Sequence, residues 1–123
     1  MSKRILYVDD QADIREVASM ALELEPNFEV RTAASGVEAI ELASVWGPDL
    51  IMLDVMMPVM DGPTTLSRLR EQADTRETPV IFITARTQAK EVEGFRALGA
   101  VGVIAKPFDP MQLAAEVREI AFS

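Results

Sequence analysis

The 123-residue chain contains no cysteine and no histidine. The first absence excludes disulfides, thiolate metal sites and cysteine nucleophiles, and it fits a reducing cytosol. The second excludes imidazole catalysis and phosphorylation on histidine within this chain. With both nitrogen and sulfur ligands gone, a metal must be held by oxygen, which points to Mg²⁺, Ca²⁺ or Mn²⁺. Positive charge is also scarce. Twelve Lys and Arg against twenty Asp and Glu leave a net charge of −8, with no basic stripe of the kind direct nucleic-acid binding requires. No apolar run approaches the roughly 18 residues of a membrane span. Acid arrives at Asp9-Asp10, far too soon for a signal peptide. These absences predict a soluble, cytoplasmic protein without a membrane or nucleic-acid partner.

What is present is a globular composition, 49% hydrophobic and 26% charged, predicting one domain over residues 1–123. The central stretch is Leu50-Ile51-Met52-Leu53-Asp54, an apolar run ending in a carboxylate, followed by a loop marked by Pro58 and Gly62. Such a run suits a strand buried on both faces of a parallel sheet. Residues 5–8 form a similar run closed by Asp9-Asp10, and residues 80–83 another closed by Thr84-Ala85-Arg86. Residues 101–105 form a fifth strand, closed by Lys106-Pro107, and residues 28–32 alternate like an edge strand.

Helical spacing fills the gaps. Ile14, Val17, Ala18, Ala21 and Leu22 predict one inward face, and Pro26-Asn27 ends that helix. Ser35-Gly36 opens a second helix with Val37, Ile40 and Ala43 inward, stopped near Trp46-Gly47-Pro48. Pro63 marks the first turn of a third, with Leu66 and Leu69 inward and Arg68, Arg70 and Glu71 outside. A weaker fourth helix spans residues 90–98 with Val92, Phe95 and Leu98. Asp109-Pro110 predicts the cap and first turn of a fifth helix, whose face is Leu113, Ala114, Val117, Ile120 and Ala121. Alternating strands and helices demand a doubly wound α/β fold, a five-stranded parallel sheet covered by helices on both sides. The half-exposed second strand belongs at an edge, which fits the flavodoxin-like order 2-1-3-4-5.

In that order the carboxyl ends of strands 1, 3, 4 and 5 are neighbours, so Asp9-Asp10, Asp54, Thr84 and Lys106 line one crevice. Singly, each has an ordinary explanation: a turn or helix-start acid, a capping hydroxyl, a surface lysine. Together they form a chemistry. Carboxylates about 4 Å apart repel by about 4 kcal/mol at an effective dielectric of about 20. A cation among them relieves this, and a set of oxygen ligands suits Mg²⁺, with Mn²⁺ as the substitute. A hydroxyl and an ammonium opposite would suit a phosphoryl group.

At this point the sequence closely resembles the receiver domain of two-component response regulators. The matching residues are Tyr7-Val8-Asp9-Asp10, the run from Pro48 to Pro58, Met60-Asp61-Gly62, the run from Pro79 to Ala85 and Lys106-Pro107-Phe108. They span residues 4–120 in the family's order, and the 2-1-3-4-5 order is itself documented for receiver proteins. The resemblance implies that Asp54 accepts a phosphoryl group from a phosphohistidine on a sensor histidine kinase or histidine phosphotransfer protein. It implies Mg²⁺ held by Asp9, Asp10, Asp54 and the backbone carbonyl of Met56. It implies phosphoryl binding by Thr84, the Ala85 backbone and Lys106, and a cis Lys106-Pro107 peptide. The resulting phosphoprotein switch would alter the face formed by the fourth helix, fifth strand and fifth helix, which a downstream protein target reads. The chain would catalyse only its own phosphorylation and dephosphorylation, as a monomer or a weak phosphorylation-dependent dimer. The Met1 start and short tail at Phe122-Ser123 favour a stand-alone, chemotaxis-type receiver over one excised from a longer chain.

Three positions depart from or modulate that pattern. Val103 stands where the family usually carries a bulky aromatic switch residue. Met56 and Arg86 occupy the positions that tune phosphoryl lifetime: an apolar Met56 side chain cannot orient a water, which predicts slow self-hydrolysis, while Arg86 fits either slower or faster loss. Other readings fit less well. An aspartyl-phosphate phosphatase of the haloacid-dehalogenase type needs an acid where Met56 stands. A flavodoxin-like cofactor site needs a hydroxyl- and Gly-rich loop where Gln11-Ala12-Asp13 stands. A dinucleotide site needs a Gly-x-Gly-x-x-Gly that the chain lacks. A phosphorylation-independent interaction module of the same fold is the remaining alternative, which no residue specifically favours.

Overall fold

The computed structural model describes residues 2–123. The elements alternate throughout: β1 (Lys3–Val8), α1 (Ala12–Leu22), β2 (Phe28–Ala33), α2 (Gly36–Trp46), β3 (Leu50–Asp54), α3 (Gly62–Arg70), β4 (Val80–Thr84), α4 (Ala89–Ala97), β5 (Gly102–Ala105) and α5 (Leu113–Ala121). All neighbouring strands are parallel, in the order β2-β1-β3-β4-β5. The expected topology holds, and β2 lies at an edge.

Strand alternation divides the core in two. Ile5, Tyr7, Leu50, Met52, Ile81, Ile83 and Ile104 pack with α1 and α5 through Ala18, Leu22, Leu113 and Val117. Leu6, Val8, Ile51, Leu53, Val80 and Phe82 pack on the other side with α2 and α3 through Ala39, Ala43, Leu66 and Leu69. Every residue of β3 and β4 is buried, as their unbroken apolar runs require. Truncating a buried side chain such as Leu53 to alanine would cost about 2–5 kcal/mol.

Local chemistry sets the helix ends. The Ser35 hydroxyl accepts from the Glu38 N–H, and the Asp61 carboxylate accepts from the Thr64 N–H. Gly47 ends α2 at φ +67°, the left-handed region where glycine is free of a Cβ clash. Gly62 starts α3 for a different reason, close packing. A Cβ there would sit 2.6 Å from the Asp54 carbonyl oxygen and 3.2 Å from Phe82 Cε1.

Several expectations about faces and ends are corrected. Val17 and Val37 are exposed, at 42% and 49%, because each lies at the flank of its helix's apolar stripe. Leu98 is exposed as well, and α4 buries no residue fully; Phe95 leans on Phe82 with ring centroids 5.1 Å apart. Arg70 does not point outward. Its guanidinium folds back onto the Thr75 and Thr78 carbonyl oxygens, and burial lowers its pKa. Asp109-Pro110 does not open α5. The Asp109 carboxylate accepts from Met111 N, its carbonyl accepts from Gln112 N, and this turn delays the helix to Leu113. No helix among the described residues is long and apolar enough to cross a membrane.

Candidate functional site

The carboxyl ends of β1, β3, β4 and β5 meet in a cleft of about 310 Å³ lined by Asp10, Gln11, Asp54, Met56, Thr84, Ala85 and Lys106. Strand parity explains who faces whom. Asp54 continues the Leu50–Met52 series and Lys106 follows Ile104, so both lie on the α1/α5 side, as Asp9 does after Tyr7. Thr84 continues the Val80–Phe82 series and leans toward the α3/α4 side.

Lys106 binds the acids together. Its Nζ lies 2.9 Å from Asp54 Oδ2 and 3.0 Å from Asp9 Oδ2, with Gln11 Oε1 at 3.4 Å. Asp9 is fully buried, Asp54 is 4% exposed and Asp10 faces solvent. The remaining bonds hold the acids in place. Asp9 Oδ1 accepts from Gln11 N, Asp9 Oδ2 from the Tyr7 hydroxyl, and the Asp9 carbonyl from Arg15 Nη1. Asp54 Oδ1 accepts from Met56 N at 3.3 Å.

Burial raises the Asp54 pKa, Lys106 opposes that shift through its hydrogen bond, and the Asp9 charge reinforces it. Burial pulls Lys106 down, but its bonds to Asp54 and Asp9 outweigh burial and leave it raised. Burial, with help from Asp9 and Asp54, pushes the Tyr7 phenol well above its usual range, so Tyr7 stays a neutral donor.

One oxygen from each of Asp9, Asp10 and Asp54 lies within 4.8 Å of the others. That all-oxygen set fits a hard divalent cation, and the ammonium of Lys106 already engages two of its members as a counter-charge. The group of three carboxylates is therefore able to hold a metal ion.

The other expected residues lie around this centre. Thr84 is buried, and its hydroxyl accepts from Arg86 N. The Arg86 side chain is exposed and is not among the groups lining the cleft. Met56 stands 72% exposed at the mouth, and the Lys106–Pro107 peptide is cis. Val103 is half-buried beside Phe82 in the sheet, outside the cleft. Sequence reasoning missed two participants. Tyr7 was legible only through alternation, two residues before Asp9 on one strand face. Gln11 carried no signal beyond following the acid pair.

The model of the response regulator receiver domain family matches residues 5–118, and the chain belongs to that family. The transcriptional regulatory protein SrrA of Staphylococcus aureus (strain NCTC 8325 / PS 47) is 41% identical over 121 residues, covering 98% of this chain and 48% of SrrA. The chain thus spans about half the length of the curated relatives it matches. Among solved structures, the chemotaxis response regulator CheY4 of Vibrio cholerae superposes with a TM-score of 0.89 at 34% identity, covering 98% of this chain and 99% of CheY4. The Francisella response regulator 1452 receiver domain gives a TM-score of 0.86 at 28% identity, covering 98% and 97%. Receiver domains are regulatory phosphoacceptor domains of two-component systems. They take phosphoryl groups from histidine kinases, bind Mg²⁺ at an acidic pocket and act on downstream targets.

Proposed function

We propose that residues 1–123 form one receiver domain in which Asp54 is the phosphoacceptor. The observation that carries this reading is the shared grip of Lys106 on Asp54 and Asp9, at 2.9 and 3.0 Å, inside a cleft that also presents Thr84. Asp54 Oδ1 or Oδ2 attacks the phosphorus of a phosphohistidine on a sensor histidine kinase or phosphotransfer protein, and the P–N bond breaks. Asp9, Asp10, Asp54 and the Met56 carbonyl hold Mg²⁺, or Mn²⁺, which when bound neutralises charge on the transferring group. Lys106 then exchanges its carboxylate partners for phosphoryl oxygens, charge for charge.

Thr84 and the Ala85 backbone bind the phosphoryl group from the other side. Moving the Thr84 hydroxyl toward it gives up the Arg86 N–H, which repacks the loop before α4. With Val103 in place of an aromatic, that loop and Phe95 carry the change to the α4–β5–α5 face read by a protein target. Self-hydrolysis is slow, because neither tuning position assists it: the Met56 thioether is a weak acceptor for the attacking water and Arg86 lies outside the cleft. The chain works in the cytoplasm, as a monomer or a weak dimer when phosphorylated.

Incubation with a small acyl phosphate and Mg²⁺, followed by intact-mass measurement, tests this. The wild type should gain about 80 Da, one phosphoryl group. Asp54→Ala should gain nothing, and EDTA should abolish the adduct. An adduct that survives in Asp54→Ala removes the assignment.

A further inference from the structure

Gln11 holds the N-cap of α1 yet makes no side-chain cap hydrogen bond. Ser, Thr, Asp and Asn are the residues that cap well, because their short side chains reach back to the helix N–H groups. Here the Gln11 N–H is instead taken by Asp9 Oδ1, at 3.0 Å, and the side chain leaves the helix for the cleft. Its Oε1 lies 3.4 Å from Lys106 Nζ, and the same nitrogen lies 2.9 Å from Asp54 Oδ2. Gln11 supplies the one carboxamide among the cleft-lining residues. Met56, across the opening, contributes a thioether that accepts hydrogen bonds only weakly.

Resting on the phosphoacceptor reading of Asp54, we infer that Gln11 is the residue that orients the water hydrolysing the aspartyl phosphate, and so sets the lifetime of the signal. When the phosphoryl group draws Lys106 to its own oxygens, Gln11 Oε1 loses its ammonium partner and is free to accept from water. The water oxygen attacks phosphorus on the side away from Asp54. The P–O bond to Asp54 breaks, and its electron pair returns to the carboxylate. Both water protons leave on inorganic phosphate, so the carboxamide orients the water and takes no proton. An amide held one lysine away from the acceptor lowers the orientation cost of an otherwise diffusing water.

The test separates gain from loss of the phosphoryl group. Wild type, Gln11→Leu and Gln11→Asn are phosphorylated with a small acyl phosphate and Mg²⁺. Adduct gain is timed first, and adduct loss is timed after the donor is removed by rapid desalting. Gln11 is exposed and its side chain makes no cap hydrogen bond, so both variants should keep the wild-type far-UV circular dichroism. Loss should slow by about ten-fold in Gln11→Leu, a moderate share of what mispositioning a reactant costs, and by clearly more than gain. Gln11→Asn, one methylene shorter, should slow loss in the same direction. Gln11→Leu combined with Met56→Asn, which offers an amide from across the cleft, should recover part of the loss rate. Unchanged loss in Gln11→Leu overturns the inference while leaving the acceptor assignment standing. Equal slowing of gain and loss overturns it too, because the residue would then act by placing Lys106. A wild type that gains no adduct removes the acceptor reading and this inference together.

Discussion

Lys106 Nζ reaches Asp54 Oδ2 at 2.9 Å although their strands, β5 and β3, are separated by β4. The lysine crosses the end of β4, where the chain has already turned, and it also engages Asp9, the residue that follows β1. One side chain thereby joins the carboxyl ends of three strands, with two buried carboxylates as its partners.

Replacing that lysine therefore leaves two buried acids without their counter-charge. Lys106→Met should lower unfolding free energy by about 3 kcal/mol in the absence of divalent metal, the range seen when a buried pair loses one partner. Mg²⁺ should restore much of it, by binding the folded state alone. Because the Lys106 pKa is raised, its contribution to wild-type stability is complete below about 10.5 and lost as pH rises through the folded value. Urea titrations with and without Mg²⁺, and across alkaline pH, measure both arms. Equal stability of variant and wild type under metal-free conditions contradicts the latch.

Asp54 has the opposite sign. Its pKa is raised by burial, so its ionised form opposes folding at neutral pH. Asp54→Asn should raise the metal-free Tm by about 4 °C, the shift that about 1 kcal/mol produces in a domain of this size. The advantage should shrink as pH falls through the raised Asp54 pKa toward 3.8, where protonation relieves the wild type as well. Calorimetry at neutral and acid pH measures it, and a variant less stable than wild type at neutral pH would contradict the sign.

Gly62 packs its Cα against the acceptor strand. A methyl placed 2.6 Å from the Asp54 carbonyl oxygen meets backbone that cannot swing aside. Gly62→Ala should destabilise by about 1–3 kcal/mol and weaken Mg²⁺ binding by shifting Asp54. Chemical denaturation and a metal titration check the two effects, and a neutral substitution would show the approach to be looser than described.

Phe95 anchors a helix that buries no residue fully. Phe95→Ala removes its ring from Phe82, 5.1 Å away. Hydrogen exchange across Ala89–Ala97 should accelerate at least ten-fold while the β3 amides keep their protection. Uniform acceleration would mean the ring supports the whole fold and not one helix.

How much of this was legible in the sequence depends on how far each signal reaches along the chain. The buried runs of β3 and β4 and the acids and lysine at strand ends are contiguous signals, so the topology and the cleft could be read directly. Faces were harder. Val17 and Val37 satisfy helical spacing but sit at the flank of the stripe, and spacing alone does not say where the sheet stops covering a helix. Arg70 reads as a surface residue until the Thr75–Thr78 turn is known to offer it two carbonyls. Asp109-Pro110 has the chemistry of a helix start, yet the Asp109 carboxylate spends its bond on a turn. Tyr7 and Gln11 join the site through contacts made only after folding, Gln11 with a lysine 95 residues away.

The central claim is that Asp54, and no neighbouring acid, carries the phosphoryl group. Borohydride reduction converts an aspartyl phosphate to homoserine, which marks the modified position permanently. After phosphorylation with Mg²⁺ and a small acyl phosphate, peptide mass spectrometry of the reduced protein should find homoserine at position 54. The same treatment with EDTA should leave Asp54 unmodified. Homoserine at position 9 or 10, or labelling at position 54 that is indifferent to metal, would contradict the account.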